Sequence, residues 1–161
     1  MNHPFDAIRS LLERNNIEYE LIEHTPVFTS EQAAAIRGMS KSQGAKSLLI
    51  KAQEAFYLMI IPGDRKLDGK KVKTLLGAKE IRFATPQEVV QVMHCEVGAC
   101  YPFGNIIHVT MYVDVTLSKN NVISFNPGVH DKSIKMMWKD YQSIIQPQMV
   151  EITKEIYTPL K

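Results

Sequence analysis

The sequence predicts an α/β fold, with a mixed, curved β-sheet or barrel surrounded by short helices. Strand-like and helix-like segments alternate along the chain, without the regular long helices of a doubly wound sheet. Two apolar runs, SLLIK at 47–51 and AFYLMII at 55–61, are separated by a short turn. Because the second run is apolar throughout, we expect a central strand that is buried on both faces.

Length and composition predict a single domain spanning residues 1–161. The 45% hydrophobic content is typical of globular proteins, and a chain of this length buries a core without disulfides or metals. The N-terminus has the periodicity of an amphipathic helix rather than of a signal peptide, and nowhere do eighteen apolar residues run together. We therefore expect a soluble, cytoplasmic protein with no membrane partner. Two cysteines are too few for a disulfide framework, so reduced thiols are expected.

The first 40 residues predict a helix, a strand and a second helix. Apolar residues of the first segment lie on one side of a helix: Phe5, Ile8, Leu11 and Leu12. Alternation over residues 17–21 is typical of a half-buried strand. Thr29 and Gln32 have capping-box spacing at the start of a short helix, which Gly38 ends.

The rest of the chain continues the alternation. Residues 64–76 predict a basic helix and residues 79–84 a strand. Thr85 begins a further helix, with Glu88 at the capping-box position. The patterns of the last part predict two strands and a closing helix, at 106–115, 122–126 and 135–145.

Positive charge is concentrated in residues 41–82, where ten Lys or Arg residues face four acids. The net charge is +6 there, −3 over residues 1–40 and −1 over residues 83–161. Such a local excess attracts polyanions through their phosphates. A solvated helix face explains the same pattern equally well.

Lys46 begins an apolar strand, which is an unusual position for an ammonium group. Its stem can lie along apolar surface while the amine reaches water, the ordinary outcome for lysine in such a place. Alternatively, the strand holds the ammonium at the mouth of a pocket, where it binds a phosphate or a developing oxyanion. The residues alone leave both interpretations open.

Two turn-rich segments are candidate pocket walls. Segment 98–104, GACYPFG, has glycine at both ends and an internal proline, so that its backbone N–H groups can approach a ligand. Segment 124–134 contains a strong turn at Asn126-Pro127-Gly128, followed by His130 and Asp131, which can accept a proton or a hydrogen bond. Each segment is equally compatible with an ordinary connecting turn.

Four thiol and imidazole residues invite a metal or nucleophile hypothesis: His94, Cys95, Cys100 and His108. They lack close CxxC or HxxxH spacing, which disfavours a zinc site. A nucleophilic pair of Cys100 with a histidine is somewhat better supported, because the loop can expose the thiol. We expect neither a metal nor a cofactor.

Taken together, these motifs resemble the YbaK / prolyl-tRNA synthetase-associated domain family, whose free-standing members are relatives of the editing domain inserted in bacterial prolyl-tRNA synthetase. The resemblance covers nearly the whole chain. Its motifs occur in order as EHTPVFTSEQAA, GAKSLLIK, IIPGDRKLDGKKVKTLLGAKEIRFATPQEV, the Gly98-x-x-x-Pro102-Phe103-Gly104 loop, YVD and FNPG. The chain is most similar to the subgroup that clears small non-proline residues from proline tRNA, and less similar to the subgroup named for cysteinyl-tRNA deacylation.

The resemblance implies a mixed β-barrel with outer helices and a trans-editing hydrolase. Such an enzyme cleaves the ester between a mischarged amino acid, of the alanine or 2-aminobutyrate class, and the 3′ adenosine of proline tRNA. A positioned water and the substrate's own 2′-hydroxyl are implied instead of an enzyme nucleophile. The implied partners are mischarged tRNA and prolyl-tRNA synthetase.

The resemblance also implies roles for individual residues. Lys46 is the catalytic residue that orients the ester near the terminal phosphate or ribose, and His130 helps to position the water. The implied substrate-binding residues are Gly98, Ala99, Cys100, Tyr101, Pro102, Phe28, Asn126 and Gly128. The basic segment supplies the expected tRNA-binding residues Lys66, Lys70, Lys71 and Lys73.

Two other functional classes remain compatible with the sequence. A barrel with a basic patch can bind tRNA or a synthetase as a non-catalytic module. A thiol hydrolase that uses Cys100 is the other alternative.

Overall fold

The computed structural model describes residues 3–156, which contain five α-helices and ten β-strands. The helices are α1 Pro4–Arg14, α2 Ser30–Arg37, α3 Gly69–Leu76, α4 Pro86–Met93 and α5 Trp138–Ile145. The strands are β1 Tyr19–Glu23, β2 Ala45–Ala52, β3 Ala55–Pro62, β4 Arg65–Leu67, β5 Arg82–Phe83, β6 Thr110–Asp114, β7 Val122–Phe125, β8 Lys132–Met137, β9 Gln148–Val150 and β10 Thr153–Glu155.

The strands form a mixed five-stranded sheet and two smaller antiparallel sheets. The order of the large sheet is β5-β2-β3-β6-β9, with β2 and β3 antiparallel and β6 parallel to both β3 and β9. The smaller sheets have the orders β1-β8-β7 and β10-β4. A bridge between Gly44 and Ser124 connects the start of β2 to β7. The expected α/β class with a mixed sheet is confirmed.

Strand β3 is central, because its two faces pack into different parts of the core. Leu58 and Ile60 belong to the larger hydrophobic cluster, whereas Met59 and Ile61 belong to a smaller one, and all four are fully buried. Successive side chains of a strand point to opposite faces, so an unbroken apolar run fits only a strand that is covered on both sides. The sequence-based interpretation of residues 55–61 was therefore correct.

Two helices begin at the residues that the capping patterns indicated. The hydroxyl of Thr85 accepts from the N–H of Glu88, and the Glu88 carboxylate accepts from the N–H of Thr85 at 2.8 Å. The hydroxyl of Thr29 accepts from the N–H of Gln32, and Gly38 ends that helix in the left-handed conformation.

Four segments differ from the sequence-based expectation. Residues 64–76 form β4 and α3 rather than one helix, because Asp68 caps α3 by accepting from the N–H groups of Lys70 and Lys71. The strand expected at 79–84 is reduced to β5. Of residues 106–115 only β6 is a strand, since His108 has a φ of +56°, which interrupts extended backbone. Residues 135–137 belong to β8, so α5 begins only at Trp138.

Within residues 3–156, no helix combines the length and the apolar character needed to cross a membrane.

Candidate active site

A cavity of about 600 Å³ lies between α2, the first half of β2 and the loop at residues 97–100. Its volume is within the usual range of small-molecule sites. Small and apolar side chains form much of its wall, among them Ala33, Ala45, Leu49 and Val89. The bridge between Gly44 and Ser124 brings the end of β7 to the same wall.

The cavity gathers six of the residues that sequence reasoning selected: Phe28, Lys46, Lys66, Gly98, Cys100 and Asn126. The others do not line it. Ala99, Tyr101 and Pro102 are buried residues of the loop that bounds the cavity. Gly128 is also buried and its N–H donates to the Ala99 carbonyl, whereas the His130 imidazole lies beside Gly98. The remaining lysines, at positions 70, 71 and 73, lie on α3.

Lys46 presents its side chain to solvent at the start of β2. Its neighbour Ala45 is buried in the larger cluster, as is Leu49 further along the strand. Strand alternation therefore turns Lys46 away from that cluster. Among the described residues, no carboxylate forms an ion pair with it, so its charge is available to a ligand in the cavity.

The loop from Gly98 to Pro102 is fixed from behind by three hydrogen bonds. The carbonyl of Ala99 accepts from the N–H of Gly128 at 3.0 Å. The Tyr101 hydroxyl donates to the Met93 carbonyl, and the Tyr141 hydroxyl donates to the Pro102 carbonyl, both at 2.6 Å. Burial raises the pKa of both phenols, so they remain donors at neutral pH. The loop is thus a rigid edge of the cavity.

Gly98 has a φ of +89°, in the left-handed region that side chains rarely adopt. A Cβ at this position would lie 3.2 Å from Cε1 of His130. The glycine therefore permits both the loop conformation and the close packing of the imidazole against the loop.

His130 packs behind Phe28 and Gly98 instead of lining the cavity. Its ring centroid lies 4.6 Å from that of Phe28, and its Nδ1 lies 3.2 Å from the Val27 carbonyl oxygen. Its Nε2 is buried and lies 3.4 Å from a carboxylate oxygen of Glu96, without hydrogen-bond geometry. In this arrangement His130 orients Phe28 and the glycine loop.

The two thiols lie together at the loop. Cys95 Sγ is 3.8 Å from Cys100 Sγ, and both cysteines are buried and free. The hydrogen bond that Cys95 donates lowers the pKa of Cys100, and the same bond raises the pKa of Cys95. Among residues 3–156, no imidazole is hydrogen-bonded to either thiol, so a thiol–histidine pair is not formed.

The rim of the cavity carries exposed apolar side chains. Phe28 is 64% exposed, Phe83 61% and Val97 55%. Exposed aromatic rings beside a basic residue can stack on a nucleobase. Sequence reasoning did not select Phe83, because its place at the edge of the large sheet follows from the pairing of β5 with β2, which is distant in sequence.

Arg37 was also missed as a site residue. It is only 6% exposed, and it lines the cavity from the last turn of α2. Its Nε donates to Ser133 Oγ at 2.8 Å, its Nη1 to Ser124 Oγ at 3.0 Å and its Nη2 to Asn126 Oδ1 at 2.9 Å. Burial lowers the pKa of Arg37 to about 10, so the guanidinium is still charged at neutral pH.

One signal in the sequence indicated that Arg37 is buried. Ala33 and Arg37 are four residues apart, and they are the two buried residues of α2. Residues at this spacing lie on the same helix face. The position of Arg37 on the same helix face as Ala33 therefore indicates that its side chain points towards the protein interior.

The lysines of the basic segment differ in their surroundings. Lys66 lines the cavity, whereas Lys70 and Lys73 are exposed on α3. Lys71 Nζ donates to the Thr153 carbonyl at 3.1 Å and so ties α3 to β10. This surface is continuous with the cavity through β4, because Arg65 and Lys66 are lining residues.

Comparison with known proteins connects this arrangement with tRNA editing. Residues 24–144 match the aminoacyl-tRNA editing domain. The chain is 29% identical over 150 residues to the multifunctional Ser/Thr-tRNA deacylase ProXp-y of Escherichia coli K12, covering 90% of each chain. It is 26% identical over 146 residues to the prolyl-tRNA editing protein ProX of Acetoanaerobium sticklandii, covering 87% of this chain and 89% of that protein.

A solved structure described as a candidate trans-editing enzyme for prolyl-tRNA synthetase shares the fold. It has a TM-score of 0.83 and 22% sequence identity, with 96% of this chain and 99% of that chain covered. The enzyme class expected from the sequence, an aminoacyl-tRNA deacylase, agrees with the names of these relatives. The match over residues 24–144 shows that the chain belongs to the aminoacyl-tRNA editing domain family.

Proposed function

We propose that this protein hydrolyses, in trans, the ester that joins a small non-proline amino acid to the 3′ adenosine of proline tRNA. The observation that carries the proposal is that Lys46 and the loop at Gly98 line the same cavity. A cation and a fixed peptide edge on one cavity fit a substrate that has both a phosphate and an acyl group. Charged tRNA and prolyl-tRNA synthetase are the proposed partners, in the cytoplasm.

Each part of the site has a proposed role. Lys46 binds the terminal phosphate or ribose at the cavity mouth. The loop at Gly98 and Cys100 contacts the amine and carbonyl region of the aminoacyl group. Phe28 stacks against the terminal nucleoside, and His130 holds that ring and the loop in place. His130 therefore influences the attacking water molecule indirectly, by positioning Phe28 and the loop.

The proposed acyl groups are alanine and 2-aminobutyrate. A synthetase pocket built for proline discriminates against smaller residues by only a few kcal/mol, so a second site that excludes proline restores accuracy. Ala33, Ala45 and Gly98 line the cavity. These small residues leave space for a short acyl side chain, and the cavity wall limits the size of the side chain that fits.

Serine and threonine are a second candidate substrate class. The Escherichia coli relative is named for them. Among the described residues, the Ser47 hydroxyl is buried without a hydrogen-bond partner, and Ser47 lines the cavity. A hydroxylated acyl group would supply that partner.

A deacylation panel tests the proposal. Proline tRNA charged separately with alanine, 2-aminobutyrate, serine, threonine and proline is incubated with the purified protein, and ester loss is followed over time. The expected result is rapid release of a small residue and retention of proline. Hydrolysis of none of the five esters would contradict the deacylase assignment for proline tRNA.

The same panel separates the enzyme from a non-catalytic binding module. A module would bind charged proline tRNA with measurable affinity and leave every ester intact. Binding together with multiple turnovers per protein molecule supports the enzyme, because a module has no catalytic cycle.

A further inference from the structure

Arg37 brings a positive charge without a counter-ion into the cavity wall. Among residues 3–156, no carboxylate forms an ion pair with it. Its acceptors are the hydroxyls of Ser124 and Ser133 and the amide of Asn126, all of which are neutral. Removing a charge from water is costly, and buried charges are usually paired. The arrangement therefore fits a site that receives negative charge from a ligand.

The guanidinium has hydrogen-bond donors to spare. It carries five N–H groups, and the described residues accept from one N–H on each nitrogen. One N–H on Nη1 and one on Nη2 are left for a ligand. Gly44 lies next to Nη1, since a Cβ at that position would be in van der Waals contact with it at 3.5 Å.

We propose that Arg37 is a catalytic residue, which stabilises the negative charge that develops on the carbonyl oxygen of the aminoacyl ester. The inference rests on the deacylase function proposed above. The neutral ester brings no permanent counter-ion, whereas its tetrahedral transition state does carry negative charge. A cation that is already fixed and desolvated stabilises this charge without reorganisation, and stabilises the transition state more than the ground state.

Lys46 is suited to a different part of the substrate. Lys46 is exposed at the start of β2 and at the edge of the cavity, whereas Arg37 is buried and held by three hydrogen bonds. A flexible, hydrated ammonium suits a phosphate that remains charged and partly solvated throughout the reaction. The planar guanidinium, with two adjacent free N–H groups, suits a single anionic oxygen in a dry wall.

The reaction balances without a cofactor. The oxygen of a water molecule attacks the ester carbonyl carbon, and the carbonyl π electrons move to the oxygen that faces Arg37. When the carbonyl re-forms, the bond between the acyl carbon and the ribose oxygen breaks. The proton lost by the attacking water is balanced by the proton that the ribose oxygen gains, giving a free amino acid and tRNA with its hydroxyl restored.

The test compares Arg37→Met and Arg37→Lys with Arg14→Met, which removes an exposed arginine at the end of α1. Single-turnover rates are measured on the best substrate of the panel. We expect Arg37→Met to slow hydrolysis by roughly 100- to 1000-fold, as loss of an oxyanion donor does, with Arg37→Lys recovering part of the rate. Arg14→Met is expected to keep the parental rate.

Binding of a non-reactive analogue separates catalysis from substrate affinity. An amide-linked aminoacyl-tRNA has a neutral carbonyl and is not hydrolysed, so its dissociation constant should change less than about threefold in Arg37→Met. A rate loss that is fully matched by weaker binding of this amide would overturn the oxyanion role. Equal rates for parent and Arg37→Met would also overturn it, and inactivity of the parent on the whole panel would instead refute the deacylase function.

A measurement on the unaltered protein keeps the inference testable if Arg37→Met fails to fold. An aminoacyl-adenosine analogue in which an anionic tetrahedral phosphonate replaces the carbonyl is compared with the matching amide. Transition-state analogues bind at least about 100-fold more tightly than ground-state analogues when charge stabilisation is strong. Equal affinity for the phosphonate and the amide would count against Arg37 as the oxyanion partner.

Discussion

Single residues decide how charge is presented in this cavity. Lys46 is exposed at the mouth and Arg37 is buried in the wall, although both line the same space. The difference follows from local structure, because strand alternation turns Lys46 outward and the helix face shared with Ala33 turns Arg37 inward. The two cations therefore have different hydration before substrate arrives.

Lys46→Ala is expected to lower the deacylation rate by at least about 100-fold, because the acylated end of the tRNA loses the charge that orients it. Since the side chain is exposed and unpaired, the melting temperature should stay within a few degrees of the parent. Lys139→Ala, which removes an exposed lysine on α5, is the matched control. Full activity of Lys46→Ala would refute the role assigned to this residue.

Cys100→Ser tests the thiol hydrolase alternative. The Cys100 thiol is hydrogen-bonded to Cys95 and has no imidazole partner among the described residues, so we expect less than a tenfold change in rate. Circular dichroism and the melting temperature check that the variant is folded. A loss of several orders of magnitude in a folded variant would place the thiol in the mechanism.

At the scale of elements, the cavity is bounded by helices whose ends are marked by capping residues in the sequence. Thr29 and Gly38 delimit α2, and Thr85 begins α4. The loop between α4 and β6 is then fixed by Tyr101 and Tyr141, whose hydroxyls bond to backbone carbonyls. The loop wall of the site is thus held in place by hydrogen bonds within the protein.

Gly98→Ala should destabilise the protein by about 1–3 kcal/mol, because it puts a side chain at a positive φ and crowds His130. Displacement of His130 should also reduce deacylation. Gly69→Ala in the first turn of α3 is the control, since a Cβ there meets no atom within 4 Å and φ is not positive. Denaturant unfolding measures both, and equal stability of the two variants would contradict the expectation.

The pair between Arg82 and Glu88 predicts a pH-dependent contribution to stability. Two hydrogen bonds from Arg82, at 2.7 and 3.0 Å, and one from the Thr85 N–H lower the pKa of Glu88 from 4.5 to about 2. A carboxyl whose pKa is lower in the folded state than in the unfolded state stabilises the fold at pH values above its unfolded-state pKa. This stabilisation disappears as the pH falls through the folded-state pKa.

Glu88→Gln should therefore melt at a lower temperature than the parent at neutral pH. The difference should shrink as pH decreases from about 4.5 towards 2, where the parental carboxyl also becomes neutral. Thermal melts of both proteins over this range give the comparison. A constant difference at every pH would show that the carboxylate charge is not the cause.

At the scale of the whole molecule, charge is separated along the chain, and the positive excess of residues 41–82 borders the cavity. Arg65 and Lys66 belong to both the basic segment and the lining. This continuity suits a substrate whose acylated end enters the cavity while its acceptor stem lies on α3.

Deacylation should weaken as salt increases, because counter-ions compete for the phosphates. Lys70 and Lys73 are exposed, so their joint replacement by glutamine should make the plot of log kcat/KM against log salt less steep. The control replaces Lys119 and Lys139, which are also exposed, by glutamine, so that both double variants lose the same charge. Equal slopes for the two double variants would argue against an RNA surface on α3.

The sequence by itself determined the elements that rest on local rules. Capping residues begin α2 and α4, and an unbroken apolar run forms the central strand β3, because these signals act within a few residues. It also determined the family, through several motifs in order. Short strands such as β4, β9 and β10 escaped prediction because they depend on partners distant in sequence.

Only the tertiary structure decided which residues share the cavity. Lys46 and Gly98 are brought together by packing, while His130 is placed behind the wall that it was expected to face. Arg37 is held in the cavity wall by hydrogen bonds to Ser124, Asn126 and Ser133, which lie about 90 residues away in sequence. Hydrogen-bond satisfaction and counter-ions are properties of three-dimensional neighbours, and local patterns carry no information about them.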